Sequence, residues 1–351
     1  MTLATQLLDW YYQRSRDLPW RADKDAYKIW VSEIMLQQTR VEAVKNYYTR
    51  WMERFPTPAD LAEASEQEVL TYWQGLGYYS RARNLLAGVR EVCAEYGGKV
   101  PDDPAVIQSL PGVGEYTAGA IASIAYDRPV PAIDGNVLRV FSRLFCLEED
   151  ITKQTTKRQV KSLVREYMSK QYPGDFNQAL MDLGAMVCIP RQPRCELCPL
   201  INLCEAYARE VQNTLPVRPA KKEQKLVKLA AGLVVKDGNY LVHQRPATGL
   251  LAAMWEFPTA ELAEGDNAIE RLKAELYRTF HQKVQVKECV YHCVHTFSHR
   301  KWDIAFYQCE WLAGDVLPES SRWLCSSNLL DIPWAGPHHK VALTYKNTPK
   351  Q

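Results

Sequence analysis

Up to about residue 212 the apolar positions recur at helical spacing, and beyond about residue 225 they fall into short β-like runs. VSEIMLQQTRVEAVKNYYTRWMERF (31–55), ADLAEASEQEVLTYWQGL (59–76), TAGAIASIAY (117–126), NVLRVFSRLF (136–145), KRQVKSLVREYM (157–168) and DFNQALMDLGAMV (175–187) all predict helices. Pro-Gly and Asp-Gly steps separate several of them. TLPVRPAKKEQK, residues 214–225, is polar and carries prolines, and it reads as a linker. After it come LAAGLVV (229–235), NYLVHQR (239–245), KVQVKECVYHCVHTF (283–297) and KWDIAFYQCEW (301–311), which predict strands. KDGN at 236–239 is a hairpin signal between the first two, and RLKAELYRTF (271–280) interrupts the strands as one helix. The pattern therefore predicts an all-α domain followed by an α+β domain.

The chain has 351 residues, long enough for about two domains. Hydrophobic residues make up 46% and charged ones 24%, as in an ordinary globular protein. A formal net charge of only +2 excludes nucleic-acid binding through bulk charge, so such a site must be local. The first twenty residues mix acids, bases and aromatics, unlike a secretory signal, and no apolar run is long enough to span a membrane. A cytoplasmic location and a reducing environment are expected. There, clustered cysteines bind metal more often than they form disulfides.

CIPRQPRCELCPLINLC (188–204) holds four cysteines spaced C-x6-C-x2-C-x5-C. Structural zinc sites pair two C-x2-C knuckles, or one knuckle with two histidines. Here there is one knuckle, and no histidine precedes His243. The uneven spacing suits a wrap around a [4Fe–4S] cluster, which takes four thiolates. Cys289, Tyr291 and Cys293 fall on alternate positions of a predicted strand, which assigns them to a packed core face rather than to a second metal site.

LPGVGEYTAGAI (110–121) places a Pro-Gly-Val-Gly turn between a helix and a helix of small residues. Gly112 and Gly114 would let backbone approach closely, and amides at the following helix start would face a phosphate. Without histidine in this half, the usual general acid–base residue is missing, and carboxylates remain. Glu33 lies among apolar residues in WVSEIMLQQ, where an acid is costly unless it is paired or used. Asp134 precedes a helix in PAIDGNVLRV, an N-cap position.

SEIMLQQT (32–39), GLGYYSRARNL (75–85), LPGVGEYTAGAI, DGNVLRV (134–140), FNQALMDLGAMVC (176–188), the cysteine loop and HTFSH (295–299) together resemble the helix-hairpin-helix glycosylases with an iron–sulfur loop. The full chain resembles adenine DNA glycosylases of the MutY type. That resemblance implies a helical glycosylase domain at 1–213, built of a six-helix hairpin module (21–126) and an iron–sulfur module (1–20 plus 127–213). The linker at 214–225 and a Nudix-like domain at 226–346 would follow. It implies excision of adenine opposite 8-oxoguanine or guanine in double-stranded DNA, by a monomer. Trp20, Arg21, Glu33 and Gln178 would line the adenine pocket. Glu33 would protonate the base, Asp134 would stabilise the sugar cation, and Tyr116 and Asn136 would support the anomeric centre. Gln38 and Tyr78 would fill the gap left by the flipped base, and Leu36 would touch the oxidised partner. Gly112 and Gly114 would meet the DNA backbone. Cys188, Cys195, Cys198 and Cys204 would hold the [4Fe–4S] cluster, presenting Arg191 and Arg194 to phosphates.

Two departures from neighbouring families sharpen this reading. The related lyases, which resemble endonuclease III, keep a nucleophilic lysine two residues after the second hairpin glycine. Tyr116 stands there instead, which implies a monofunctional enzyme with little strand cleavage. GLVVKDGNYLVHQRPATGLLAAMWEFP resembles the front half of a Nudix domain. The stretch AEGDNAIERLKAELYRTF offers Glu270 and Glu275 but lacks the glutamate-rich magnesium helix of a working Nudix hydrolase. A module that recognises 8-oxoguanine is implied instead, with Phe297, Ser298 and His299 as its probing loop.

Overall fold

The computed structural model describes residues 2–219, 223–297, 299–314 and 316–346. Two units emerge: Met1–Ala64 with Ser80–Ala220, and Ser65–Tyr79 with Lys221–Gln351. The helices are α1 (Leu3–Arg14), α2 (Ala26–Leu36), α3 (Val41–Arg54), α4 (Pro58–Glu63), α5 (Glu66–Trp73), α6 (Ser80–Glu95), α7 (Pro104–Ser109), α8 (Glu115–Tyr126), α9 (Gly135–Leu144), α10 (Gln154–Tyr167), α11 (Pro173–Met186), α12 (Glu205–Ala208), α13 (Ala268–Phe280) and α14 (Gly336–Tyr345). All but α5, α13 and α14 belong to the first unit.

Three predicted continuities break, each for a local reason. The helical periodicity over 31–55 runs through LQQT, yet α2 stops at Leu36 and α3 starts at Val41. Gln38 sits in the left-handed region, at φ 57°. Arg81 of α6 takes the carbonyls α2 would otherwise hand to its next turn: its Nη1 donates to Ile34 O at 2.7 Å, Met35 O at 3.0 Å and Gln37 O at 2.6 Å. The predicted helix over 59–76 is two helices. Ser65 ends the first stretch by accepting from Glu68 N–H and capping α5. The linker read over 214–225 is shorter than its composition suggests, because Leu215 is buried. The Leu215 carbonyl accepts from Arg143 Nε at 3.0 Å, and Val217 O accepts from Ile151 N–H. The first unit thus reaches past 213, and 65–79 groups with the second, where Gln67 Nε2 donates to Asp331 O.

In the first unit, α2 lies between α6 and α8, and α11 packs on α1, α8 and α9. Gly119 and Gly174 permit these close approaches; a Cβ on Gly119 would come within 2.4 Å of Pro131 O.

The second unit is a mixed sheet with a helix on each face. Its strands are β1 (Lys225–Lys236), β2 (Asn239–Gln244), β3 (Trp255–Glu256), β4 (Thr259–Leu262), β5 (Lys283–Thr296), β6 (Arg300–Ala313) and β7 (Ser321–Cys325). They run in the order β3-β2-β1-β6-β5, with β4 on β1 and β7 on β2; β1 and β6 pair in parallel and the other strand pairs are antiparallel. The two-residue period of β1 divides the core. Val227, Leu229, Ala231 and Leu233 join Trp334, Val341 and Ala342 beside α14, while Ala230 and Val234 meet Leu272, Leu276 and Phe280 of α13. The predicted hairpin is present: Asp237 and Gly238 both have positive φ, at 49° and 72°.

One strand expectation needs correction. Pairing between β5 and β6 slips between Cys289 and Tyr291. That bulge disrupts the alternation, so Cys289 is exposed while Cys293 packs against the core.

Candidate active site

A cleft of about 630 Å³ opens in the first unit. Among its walls are Trp20, Arg21, Glu33, Leu36, Gln38, Gly112, Gly114, Tyr116, Asp134, Asn136 and Gln178. These are the sequence-predicted residues of that unit apart from the cysteines and the two arginines of their loop. Tyr78 belongs to the second unit, 44% exposed and at φ 48°.

The elements explain the placement. Asp25 caps α2, which carries Glu33. The short turn Pro19–Arg21 holds Trp20 edge-on to Tyr48, with ring centroids 5.5 Å apart. At the hairpin, α7 and α8 flank Gly112, which has φ 74° and whose added Cβ would lie 2.5 Å from Asn84 Cβ. Both facts require glycine there. Gly114 is different: no protein atom lies within 4 Å of a Cβ built on it. It caps α8 without a side chain, leaving the first-turn amides open to an anion.

Glu33 is buried, and its Oε2 accepts from the Tyr116 hydroxyl at 2.5 Å. Burial pushes its carboxyl up to about 7; the Tyr116 hydrogen bond and Arg21 pull the other way, and Asp134 adds to the rise. Burial, reinforced by Glu33 and Asp134, drives the Tyr116 phenol well above its ordinary value. Asp134 is indeed an N-cap, and it also faces the cleft. Its Oδ1 accepts from the Asn136 and Val137 amides at 2.8 and 2.7 Å, and its Oδ2 from Asn136 Nδ2 at 2.6 Å. Burial raises this carboxyl too, but those hydrogen bonds favour its anion. A carboxyl raised to about 7 beside one whose oxygens are held by three hydrogen bonds suits proton donation coupled to cation stabilisation.

Several residues that line or brace the cleft were missing from the sequence reading. Asp182 is fully buried and binds Arg16 and Arg21. Met181 Sδ lies 3.7 Å from the Tyr116 hydroxyl. Arg139 Nη2 donates to Asn136 Oδ1 at 2.8 Å and Gly184 O at 2.7 Å, and its Nε to Cys188 O at 2.8 Å. The available signal was charge on an apolar face: Arg139 and Arg143 lie four apart in NVLRVFSRLF, and Asp182 stands in ALMDLGAM.

Gly184 touches this network. A Cβ there would lie 2.6 Å from Asn136 Cβ and 3.2 Å from its Cα. Gly184→Ala should destabilise the fold by about 1–3 kcal/mol through overpacking. It should also move Asn136 off Asp134. Thermal melts and single-turnover excision on the same samples check this: excision should fall by more than the loss of folded protein explains.

Cys188, Cys195, Cys198 and Cys204 line one cavity, walled further by Val140, Leu144, Leu183 and Leu200. Burial and mutual proximity raise the thiols of Cys195, Cys198 and Cys204, that of Cys198 to about 12. Arg143 Nη1 donates to Cys188 Sγ at 3.4 Å and to Ile189 O at 2.7 Å. Among the described residues no three His, Cys, Asp or Glu side chains group as a site for a single ion. Arg191 and Arg194 on the same loop are exposed.

In the second unit, Phe297 N–H donates to Arg300 O, where β5 ends and β6 begins. Phe297 packs edge-on to His295 and Trp302, at 4.5 and 4.9 Å, and His299 is exposed. Ser298 lies outside the described residues. On α13, Glu270 pairs with Lys273, and Glu275 with Arg271 and Arg278.

The helical unit and its cleft are those of a base-excision DNA glycosylase. The HhH-GPD superfamily base excision DNA repair model matches residues 31–166, and a NUDIX domain model matches 230–343. Adenine DNA glycosylase of Mus musculus is 39% identical, over 98% of this chain and 78% of its own length. That of Homo sapiens is 36% identical, over 91% and 69%. A thermostable thymine-DNA glycosylase, 30% identical, superposes with a TM-score of 0.54 over 59% of this chain and 95% of its own. Endonuclease III, in a trapped DNA intermediate, shares the fold at 22% identity and a TM-score of 0.50, over 59% and 94%. The chain belongs to the adenine DNA glycosylase family and hydrolyses the N-glycosyl bond of adenine in base excision repair.

Proposed function

We propose that this glycosylase excises adenine paired with 8-oxoguanine or guanine, as a monomer without efficient strand cleavage. The observation that carries the reading is one cleft holding a proton-retaining Glu33 beside a hydrogen-bonded Asp134. Adenine flips from the stack into the cleft, where Trp20, Arg21 and Gln178 enclose it. Glu33 donates its proton to the imidazole-ring nitrogen, and the base leaves neutral. Asp134 stabilises the oxocarbenium sugar, with Tyr116 and Asn136 alongside, and water completes hydrolysis. Gln38 and Tyr78 fill the vacated stack, Leu36 contacts the partner base, and the Gly112–Gly114 hairpin grips phosphate. Incubation with duplexes bearing A opposite 8-oxoguanine, G or T tests the reading. Abasic sites should form with the first two, and their absence from every duplex would overturn it. Among the described residues no helix is long and apolar enough to cross a membrane, in keeping with action on DNA.

The donor set fits a [4Fe–4S] cluster: four thiols face a single largely apolar cavity, and the Arg143 cation hydrogen-bonds one sulfur. When bound, the cluster would tie the loop into one shape and so fix Arg191 and Arg194 for phosphate contact. Cys198→Ser should lower soluble yield and bleach the cluster's visible absorbance. A colourless, zinc-containing parent would overturn the assignment.

Phe297, Ser298 and His299 supply the 8-oxoguanine probe. His299→Ala should slow excision more on 8-oxoguanine duplexes than on guanine duplexes, in parallel single-turnover assays. Equal losses would deny the loop a part in discrimination. The ion pairs that occupy Glu270 and Glu275 favour this reading over pyrophosphate hydrolysis.

A further inference from the structure

The Asp182 carboxylate is fully buried and accepts five hydrogen bonds from two arginines. Arg16 gives its backbone N–H at 3.1 Å, Nε at 2.8 Å and Nη2 at 2.6 Å. Arg21 gives Nη1 and Nη2 at 2.8 and 2.9 Å, a two-pronged grip. A third Arg21 donor goes to Arg16 O at 3.2 Å. A guanidinium has five N–H groups. The Nε–H of Arg21 and one Nη2 hydrogen therefore lack a protein acceptor among the described residues, and Arg21 lines the cleft.

Arg21 is the cleft cation that bears electrostatically on Glu33. Tyr116 from α8 and Asp134 at the start of α9 are the other titratable groups around Glu33, while Arg81 of α6 is turned to backbone carbonyls. Tyr11 of α1 stands beside Arg21, 5.7 Å from guanidinium carbon to ring centroid. Arg139 is committed to Asn136, Gly184 and Cys188. Burial alone would raise the Asp182 carboxyl. The two arginines outweigh that and hold it below the usual carboxylate range, so it stays anionic.

We infer that Asp182 is a positioning residue for base excision: it anchors Arg21 to the cleft wall and keeps that cation from forming an ion pair with Glu33. Without the anchor, Glu33 is the nearby buried acid that would draw the guanidinium in, and an ion-paired Glu33 holds no proton to donate. The inference rests on the proposed role of Glu33 as proton donor.

The test is single-turnover adenine excision as a function of pH, with folding checked by circular dichroism. The parent rate should fall as pH rises through about 7. In Asp182→Asn the midpoint should move down by about one unit. Above the midpoint the rate should then drop about tenfold. Below the shifted midpoint it should return towards the parent value. Asp182→Glu keeps the charge and should keep the parent midpoint. The double variant Arg21→Gln/Asp182→Asn lacks the mobile cation, and its midpoint should sit at or above the parent's. A loss in Asp182→Asn that is equal at every pH, with an unmoved midpoint, marks Asp182 as merely structural and overturns the inference. If Asp182→Asn does not fold, the double variant decides, and a midpoint below the parent's overturns it. A parent with no limb near 7 sinks the proton-donor reading and this inference with it. An unmoved midpoint in a parent that has the limb sinks the inference alone.

Discussion

Glu33→Gln should abolish adenine excision while leaving DNA binding nearly intact. The amide keeps the shape of the carboxyl, and its oxygen can still accept from the Tyr116 hydroxyl. What it lacks is an acidic proton. General acid catalysis contributes typically 10²–10⁴-fold, so a loss of at least about a hundredfold is expected. The pH dependence follows from the sign of the shift. An ordinary glutamate is almost wholly ionised at neutral pH. Burial moves this one to about 7, so roughly half is protonated there. The protonated form is the active one, so excision should rise below 7 and decline above it. The variant should show no such limb. Single-turnover rates and an equilibrium binding titration on an A:8-oxoguanine duplex check both halves, and strong residual excision would remove Glu33 from its role.

Tyr116→Lys should convert part of the hydrolysis into covalent chemistry. The phenol stands at the start of α8, 2.5 Å from Glu33 and in the same cleft as Asp134. An amine in that position would reach the sugar carbon that adenine leaves. The bond broken is the N-glycosyl bond, and the bond formed joins Nζ to the anomeric carbon. The sugar's C1′–O4′ bond then opens, its oxygen taking the amine's proton, and the resulting Schiff base is reduced by borohydride to a stable protein–DNA adduct. Burial of an ammonium favours its neutral, nucleophilic form, whereas Glu33 and Asp134 oppose that. The same cation would pull Glu33 below its raised value, so total adenine release should fall even as trapped complex and strand nicks appear. A variant that still releases adenine but traps no more DNA than the parent would show that this side chain does not face the sugar.

Residues whose cost is local were legible in the chain. An acid among apolar neighbours marked Glu33, and four crowded cysteines marked their loop. The apolar run LAAGLVV marked β1 as a strand. What escaped depends on partners distant in sequence. The helical period runs unbroken through LQQT because the residue that ends α2 is Arg81, more than forty positions later. Asp182 carried the same signal as Glu33, but its meaning lies in Arg16 and Arg21, which the spacing does not bring together. In β5 the alternation of Cys289 and Cys293 was visible, whereas a bulge leaves no mark in a run of good strand formers. Gly114 looked like Gly112 in sequence; the structure separates them, because a Cβ would clash with Asn84 at Gly112 and meet nothing at Gly114.

The turn between α2 and α3 is held from within the protein by one side chain. Three carbonyls and the Thr39 hydroxyl converge on the single guanidinium of Arg81. Immobilising a loose backbone costs about 1–2 kcal/mol per residue, so ordering residues 37–40 on contact with DNA would cost several kcal/mol. Folding has incurred that cost in advance. In the role proposed for it, a Gln38 held this way would enter the duplex without refolding a loop. Association should accordingly show little of the entropy penalty and heat-capacity change that accompany coupled folding.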